Sequence, residues 1–263
     1  MSLVPIADLH LNVTIEGSGS PLLLVHGFPL DHTMWRAQIA EFAKNQTVIA
    51  PDLRGFGRSE ATTGTVEMAR FADDLAEMLD ELSVDEPVTF CGLSMGGYIA
   101  FEFLQRHPRR VRQLILCDTR AAADTSDAAA RRHATADRVL AEGPGFLADT
   151  MPDKLYSEST RRDQPELIAA TQKVIRQSSR IGVAAASRGM ALRRDANPQL
   201  AQIAVPTLVV VGEEDVISPP DEMREWCGKI PGGQFVSLPG AGHMSPEEQP
   251  EQFNKVAGKF LQG

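Results

Sequence analysis

Short apolar runs rich in leucine and β-branched residues alternate along this chain with longer segments of helical period. That alternation implies a mostly parallel sheet covered by helices, an α/β architecture. The runs Leu22-Leu23-Leu24-Val25, Val48-Ile49-Ala50, Val88-Thr89-Phe90-Cys91, Leu114-Ile115-Leu116 and Thr207-Leu208-Val209-Val210-Val211 are apolar on both faces, as central parallel strands must be. Phe235-Val236-Ser237-Leu238 reads as a further strand. Leu9–Glu16 instead alternates apolar with polar residues, which predicts an antiparallel edge strand. Met68, Phe71, Leu75, Met78, Leu79 and Leu82 form one stripe of an amphipathic helix, and Phe253, Val256, Ala257, Phe260 and Leu261 form another.

Between residues 120 and 202 the alternation stops. This Ala- and Arg-rich stretch predicts helices around 128–140, 165–177 and 181–190, and the sheet resumes after Pro206. The expected organisation is a catalytic core of residues 1–119 and 203–263, with 120–202 inserted as a helical lid over the carboxyl edge of the sheet. The stretch 119–202 carries 13 basic and 10 acidic residues, a surplus of +3 against −12 elsewhere. Its arginines, among them Arg131, Arg132, Arg161, Arg162, Arg193 and Arg194, read either as solvated helix faces or as an attraction for carboxylate-bearing substrates.

A length of 263 residues with 43% hydrophobic and 23% charged residues suits a globular domain and excludes disorder and coiled coil. A net charge of −9 without a basic block argues against nucleic acid as a partner. No apolar run approaches the ~20 residues of a membrane span, and the first five residues lack the features of a signal peptide, so the expected location is the cytoplasm. Three cysteines without CxxC spacing, and six histidines without HxH or HxxxH spacing, give no disulfide framework, metal site or cofactor to expect.

Gly92-Leu93-Ser94-Met95-Gly96 follows one predicted strand and precedes a helix, the context in which GxSxG becomes a sharp turn that exposes its serine above a sheet. Serine needs a base, and the base needs a group to orient it. His243, in Gly240-Ala241-Gly242-His243-Met244-Ser245-Pro246-Glu247, and Asp215, in Gly212-Glu213-Glu214-Asp215, both sit on loops after strands. Glu213, Glu214 and Asp118 are the alternatives to Asp215. His26 and the turn Asp52-Leu53-Arg54-Gly55-Phe56-Gly57-Arg58-Ser59 read as bracing around the same edge.

Together HGFP, DLRGFGRS, GLSMGG, GEEDVISP and AGHMSPEEQP resemble the α/β-hydrolase superfamily over nearly the whole chain, within it the group of small serine esterases, perhydrolases and enol-lactonases. The resemblance implies a catalytic triad of Ser94, Asp215 and His243, backbone N–H donors at Phe28 and Met95 for an oxyanion, and neither cofactor nor metal. It implies a serine carboxylesterase acting on a small-molecule ester or lactone, with Pro29 pointing to perhydrolase side activity. A ligand-binding signalling protein on the same fold, or a C–C bond hydrolase using the same triad, are the competing expectations. Ser94 stands where dehalogenases and epoxide hydrolases of similar fold carry aspartate.

Overall fold

The computed structural model describes residues 2–263. Its eight strands are β1 (Ser2–Ile6), β2 (Leu9–Glu16), β3 (Ser20–Val25), β4 (Gln46–Pro51), β5 (Val88–Leu93), β6 (Val111–Cys117), β7 (Thr207–Gly212) and β8 (Gln234–Leu238). They form one sheet in the order β1-β2-β4-β3-β5-β6-β7-β8, antiparallel at β1/β2 and β2/β4 and parallel from β4 to β8. The strands β3, β5 and β7 are buried along almost their full length, as their uninterrupted apolar runs require. Leu9–Glu16 is antiparallel as expected but is not the edge, because Ser2–Ile6 pairs outside it. Pro5 in β1 suits that outer position, since proline cannot donate to a further ladder.

Helix α1 (Arg36–Phe42) packs on α12 (Pro250–Leu261), and α2 (Met68–Glu81) packs on α3 (Met95–Arg106). Six helices lie between β6 and β7: α4 (Ser126–Glu142), α5 (Gly145–Thr150), α6 (Pro152–Leu155), α7 (Glu158–Asp163), α8 (Pro165–Gln177) and α9 (Arg180–Ala191). The sequence pattern shows α4, α8 and α9. It misses α5 to α7, each of which is too short to display a helical period. No helix among the described residues is long and apolar enough to cross a membrane.

The inserted helices are fastened to the core in several places. Helix α9 lies directly on the Asp52–Ser59 turn, where a Cβ on Gly182 would stand 1.9 Å from the Gly55 carbonyl oxygen. That turn is itself rigid, because the buried Arg54 guanidinium bonds both oxygens of Asp74 at 2.7 Å and both oxygens of Asp8 at 2.7 and 2.9 Å. Another fastening joins residues 155–157 to α11 (Ser245–Glu248), the short helix that follows His243, whereas α10 (Pro220–Cys227) lies between β7 and β8. There the Tyr156 hydroxyl donates to Glu247 Oε2 at 2.7 Å and lies 2.5 Å from Thr171 Oγ1. Burial pushes the Glu247 carboxyl up to about 7, against the opposing pull of Tyr156 and the Arg36 charge.

Gly182→Ala is expected to destabilise the protein by ~2 kcal/mol or more, because the new methyl meets backbone and not a flexible side chain. Thermal unfolding reads this as a lowered Tm. Glu247 has its folded value raised above the ordinary 4.5, so its contribution to stability is present below that value and is lost as pH rises through about 7. Glu247→Gln keeps an acceptor for Tyr156 without the charge. Its Tm relative to the original protein is expected to rise between about pH 5 and about pH 8, and a difference constant across that range contradicts the assignment.

Candidate active site

The site is built on the one residue between β5 and α3. Ser94 has φ 53° and ψ −110°, in the left-handed region that residues with a Cβ occupy only where their surroundings impose it. Several bonds impose it here. The Ser94 N–H donates to the Cys117 carbonyl at 2.9 Å, and the Ser94 carbonyl accepts from Thr119 Oγ1 at 2.8 Å and from the Gly97 N–H at 2.9 Å. The flanking glycines permit the turn: a Cβ on Gly92 would lie 2.3 Å from the Gly96 oxygen, and one on Gly96 would lie 2.4 Å from the Val25 oxygen. The side chains on either side are buried, and Ser94 is left half-buried, facing a cavity.

The loop after β3 runs beside this turn, with Gly27 close to the Ser94 Cβ. His26 braces it from below. Its Nε2 accepts the Leu53 N–H at 3.0 Å and its Nδ1 contacts the Gly27 carbonyl at 2.9 Å, which requires the neutral Nδ1–H tautomer. Burial lowers the His26 pKa and favours that same neutral form. Among the described residues no backbone acceptor takes the Phe28 N–H. Met95 is the first residue of α3, so its N–H has no intrahelical acceptor.

Parallel pairing of β7 with β8 brings the loops that follow them together. The Glu213 N–H donates to the Leu238 carbonyl at 2.9 Å and the Glu214 N–H to the Ala241 carbonyl at 2.8 Å. This seats the Asp215 carboxylate against the imidazole, with His243 Nδ1 bonded to Asp215 Oδ2 at 2.8 Å. The other oxygen, Oδ1, accepts from the N–H groups of Ile217 at 2.7 Å and Ser218 at 3.0 Å. Asp215 and His243 are both buried. Of the sequence alternatives, Glu213 and Glu214 are exposed. Asp118 is spent on the scaffold, accepting from the Gly212 N–H at 2.8 Å and from the Ser245 hydroxyl at 2.5 Å. Burial and the nearby Asp215 charge push the Asp118 carboxyl well up.

Ser94, His243 and Phe28 line one cavity of about 380 Å³, whose walls include residues of α4, α5, α6 and α9. Five basic side chains also line it. Arg132 and Arg193 share the single carboxylate of Asp124, and the Arg193 guanidinium lies 4.3 Å over the Tyr98 ring. Arg120 pairs with Glu222 at 2.6 Å. Arg131 and Lys154 line the cavity without a carboxylate partner among the described residues. The remaining arginines of the insertion that the sequence singles out are paired elsewhere, Arg161 with Asp153, Arg162 with Asp163 and Arg194 with Glu102.

A second cavity of about 370 Å³, beside α8, holds neither Ser94 nor His243. The side chains of Asp31, His32 and Asp52 cluster there with ligand atoms within 4.8 Å of one another, although the sequence shows no metal-binding spacing. They are already engaged with the chain. Asp52 accepts from His32 Nδ1 at 2.6 Å, Asn12 Nδ2 at 2.8 Å and the Arg58 N–H at 2.9 Å, and Asp31 caps Thr33. Burial acts to raise the Asp52 carboxyl, but these hydrogen bonds outweigh it and hold the group at about 2.

Known proteins of similar sequence and structure share this fold. A thermophilic esterase from Thermogutta terrifontis, solved with malate bound, superposes with a TM-score of 0.97 at 44% identity, covering 99% of this chain and 97% of that one. The enol-lactonase from Burkholderia xenovorans LB400 gives a TM-score of 0.93 at 27% identity, with both chains covered completely. Among curated sequences, 3-oxoadipate enol-lactonase 2 of Acinetobacter baylyi is 30% identical over 94% of this chain and 91% of its own. The model of the α/β hydrolase fold family matches residues 20–250, from the start of β3 to the start of α12, and so takes in Ser94, Asp215 and His243 alike. This chain belongs to the α/β-hydrolase fold family.

Proposed function

We propose that this protein is a serine hydrolase that cleaves small carboxylic esters or lactones through an acyl-enzyme on Ser94. The observation that carries the reading is the buried Asp215–His243 pair opening onto the same cavity as Ser94. With Nδ1–H held by Asp215, the Nε2 lone pair of His243 takes the proton from Ser94 as its Oγ attacks the ester carbonyl carbon. The N–H groups of Phe28 and Met95 receive the oxyanion, each such donor contributing ~3 kcal/mol in the transition state. His243 then returns the proton to the leaving oxygen. Water, deprotonated by the same nitrogen, attacks the acyl carbon, the bond to Ser94 Oγ breaks as His243 returns that proton to the serine oxygen, and the acid is released. Helices 120–202 form the lid over this cavity, and the names of the esterase and enol-lactonase relatives support the reaction class.

The charge of the cavity favours a narrower reading, in which the substrate bears a carboxylate. Two arginines on one aspartate, together with unpaired Arg131 and Lys154, leave the lining net positive.

Ser94→Ala is expected to lower hydrolysis of p-nitrophenyl acetate and butyrate by at least about 1,000-fold, because a triad acts as a unit. Equal rates in both proteins overturn the acyl-enzyme. Very slow turnover of every ester, combined with a ligand-dependent complex with another protein, supports the signalling alternative. Arg131→Glu combined with Lys154→Glu is expected to raise KM for the mono-p-nitrophenyl ester of a dicarboxylic acid at least about tenfold at low ionic strength. The same variant leaves KM for p-nitrophenyl butyrate nearly unchanged, and a parallel rise for both esters contradicts an anionic substrate.

A further inference from the structure

We infer that Glu248, a residue with no place in the reacting trio, is the positioning residue for His243. The inference rests on His243 serving Ser94 as proposed above. Its geometry concerns the backbone on either side of the histidine. Glu248 Oε1 accepts the N–H of Gly242 at 2.8 Å and the N–H of Met244 at 3.3 Å, so one oxygen holds the residues immediately before and after His243. The other oxygen, Oε2, accepts the N–H of Ser157 at 2.8 Å, from the segment joining α6 to α7. Glu248 is 4% exposed and lies at the end of the single-turn helix α11.

Two features make this carboxylate hard to replace. The Met244 N–H has a second acceptor in the Leu155 carbonyl at 3.1 Å, but among the described residues the N–H groups of Gly242 and Ser157 have Glu248 alone. The loop also has no slack to find another partner, because a Cβ on Gly242 would stand 2.8 Å from the Ser157 nitrogen. The imidazole is held at its Nδ1 by Asp215, but one hydrogen bond leaves a ring free to tilt about that contact. Fixing both flanking peptides sets the Cα from which the ring hangs, and with the bond at Nδ1 this gives the imidazole two anchors that aim Nε2. A base must come within hydrogen-bond reach of the proton it takes, and a displacement of ~1 Å can cost about 100-fold in rate. The same carboxylate joins the histidine loop to the wall of the cavity, since Leu155 and Lys154 line it.

Three variants separate positioning from bulk stability. Each is assayed for kcat and KM on p-nitrophenyl butyrate, and for the low-field proton NMR signal of the His243 Nδ1–H bound to Asp215, a signal that needs no turnover. Glu248→Ala is expected to lose about 100-fold in kcat and to broaden the low-field proton through exchange with water. Glu248→Gln keeps an oxygen for Gly242 and Met244 but turns an amide donor toward the Ser157 N–H. It is expected to recover most of kcat and keep the low-field proton, with a raised KM because only the tie to the cavity wall is lost. Glu248→Asp keeps the charge but withdraws the acceptor by one methylene, and is expected to fall between the other two in kcat and in exchange. It carries the test if the alanine variant does not fold. An unchanged low-field proton and kcat in whichever of the Ala and Asp variants is folded overturn the assignment. Failure of the original protein to hydrolyse any ester would overturn the function proposed above, while the comparison of His243 protons would still decide the role of Glu248.

Discussion

The carboxyl edge of the sheet depends on a steric constraint at Ser94: β5 has to become α3 within one residue. Such a turn brings the strand, the helix and the neighbouring β3 loop closer together than side chains allow, and so Gly92 and Gly96 pack on bare backbone. The strained φ of Ser94 is stabilised by bonds from Cys117, Thr119 and Gly97. Those bonds come from β6, the loop after it and α3, which ties the serine to buried elements at the centre of the sheet. The result is a hydroxyl on rigid support at a helix N-terminus, where a developing negative charge is favoured.

Around that fixed point the remaining groups are brought in by the sheet and held by buried hydrogen bonds. Parallel strands end on the same side, so β7 and β8 deliver Asp215 and His243 to adjacent loops without any further device. Keeping those loops in place is harder, because their backbone N–H groups are buried and each needs an acceptor. Asp118 supplies one for Gly212, Asp215 supplies them for Ile217 and Ser218, and Glu248 supplies them for Gly242, Met244 and Ser157. Three carboxylates thus meet backbone demand at one edge, and only Asp215 also bonds the histidine. The cost of this arrangement is visible at Asp118, whose carboxyl burial pushes up.

The charge distribution has a comparable logic. The chain is acidic overall, yet the cavity beside Ser94 is lined by five basic side chains that answer to fewer acids. Asp124 neutralises only one of its two arginines, so the surplus is partly buried and partly displayed at Arg131 and Lys154. A positive cleft in an otherwise negative molecule focuses its field on small anions and repels large polyanions.

Much of this was legible in the residues themselves. A strand pattern, a GxSxG and a helical pattern in direct succession can satisfy their sterics in only one way, which made Ser94 readable from local sequence. The β-strand order and the edge were less so: Ser2–Ile6 is too short and too mixed to declare itself, and its pairing with Leu9–Glu16 moved the edge outward by one strand. The short helices α5 to α7 likewise carry no period to read. The α/β alternation, the serine turn and the presence of acid and base candidates on loops after strands can be read from the residues alone, because all of these are set by local sterics and periodicity. The assembled fold was needed to show that Asp215 and not Asp118, Glu213 or Glu214 bonds His243, that Arg131, Arg132 and Arg193 line the cavity while Arg161, Arg162 and Arg194 do not, and that Glu248 holds the histidine loop. Those are contacts between residues brought together by strand pairing and helix docking, and no local pattern records which distant backbone group a buried carboxylate will meet.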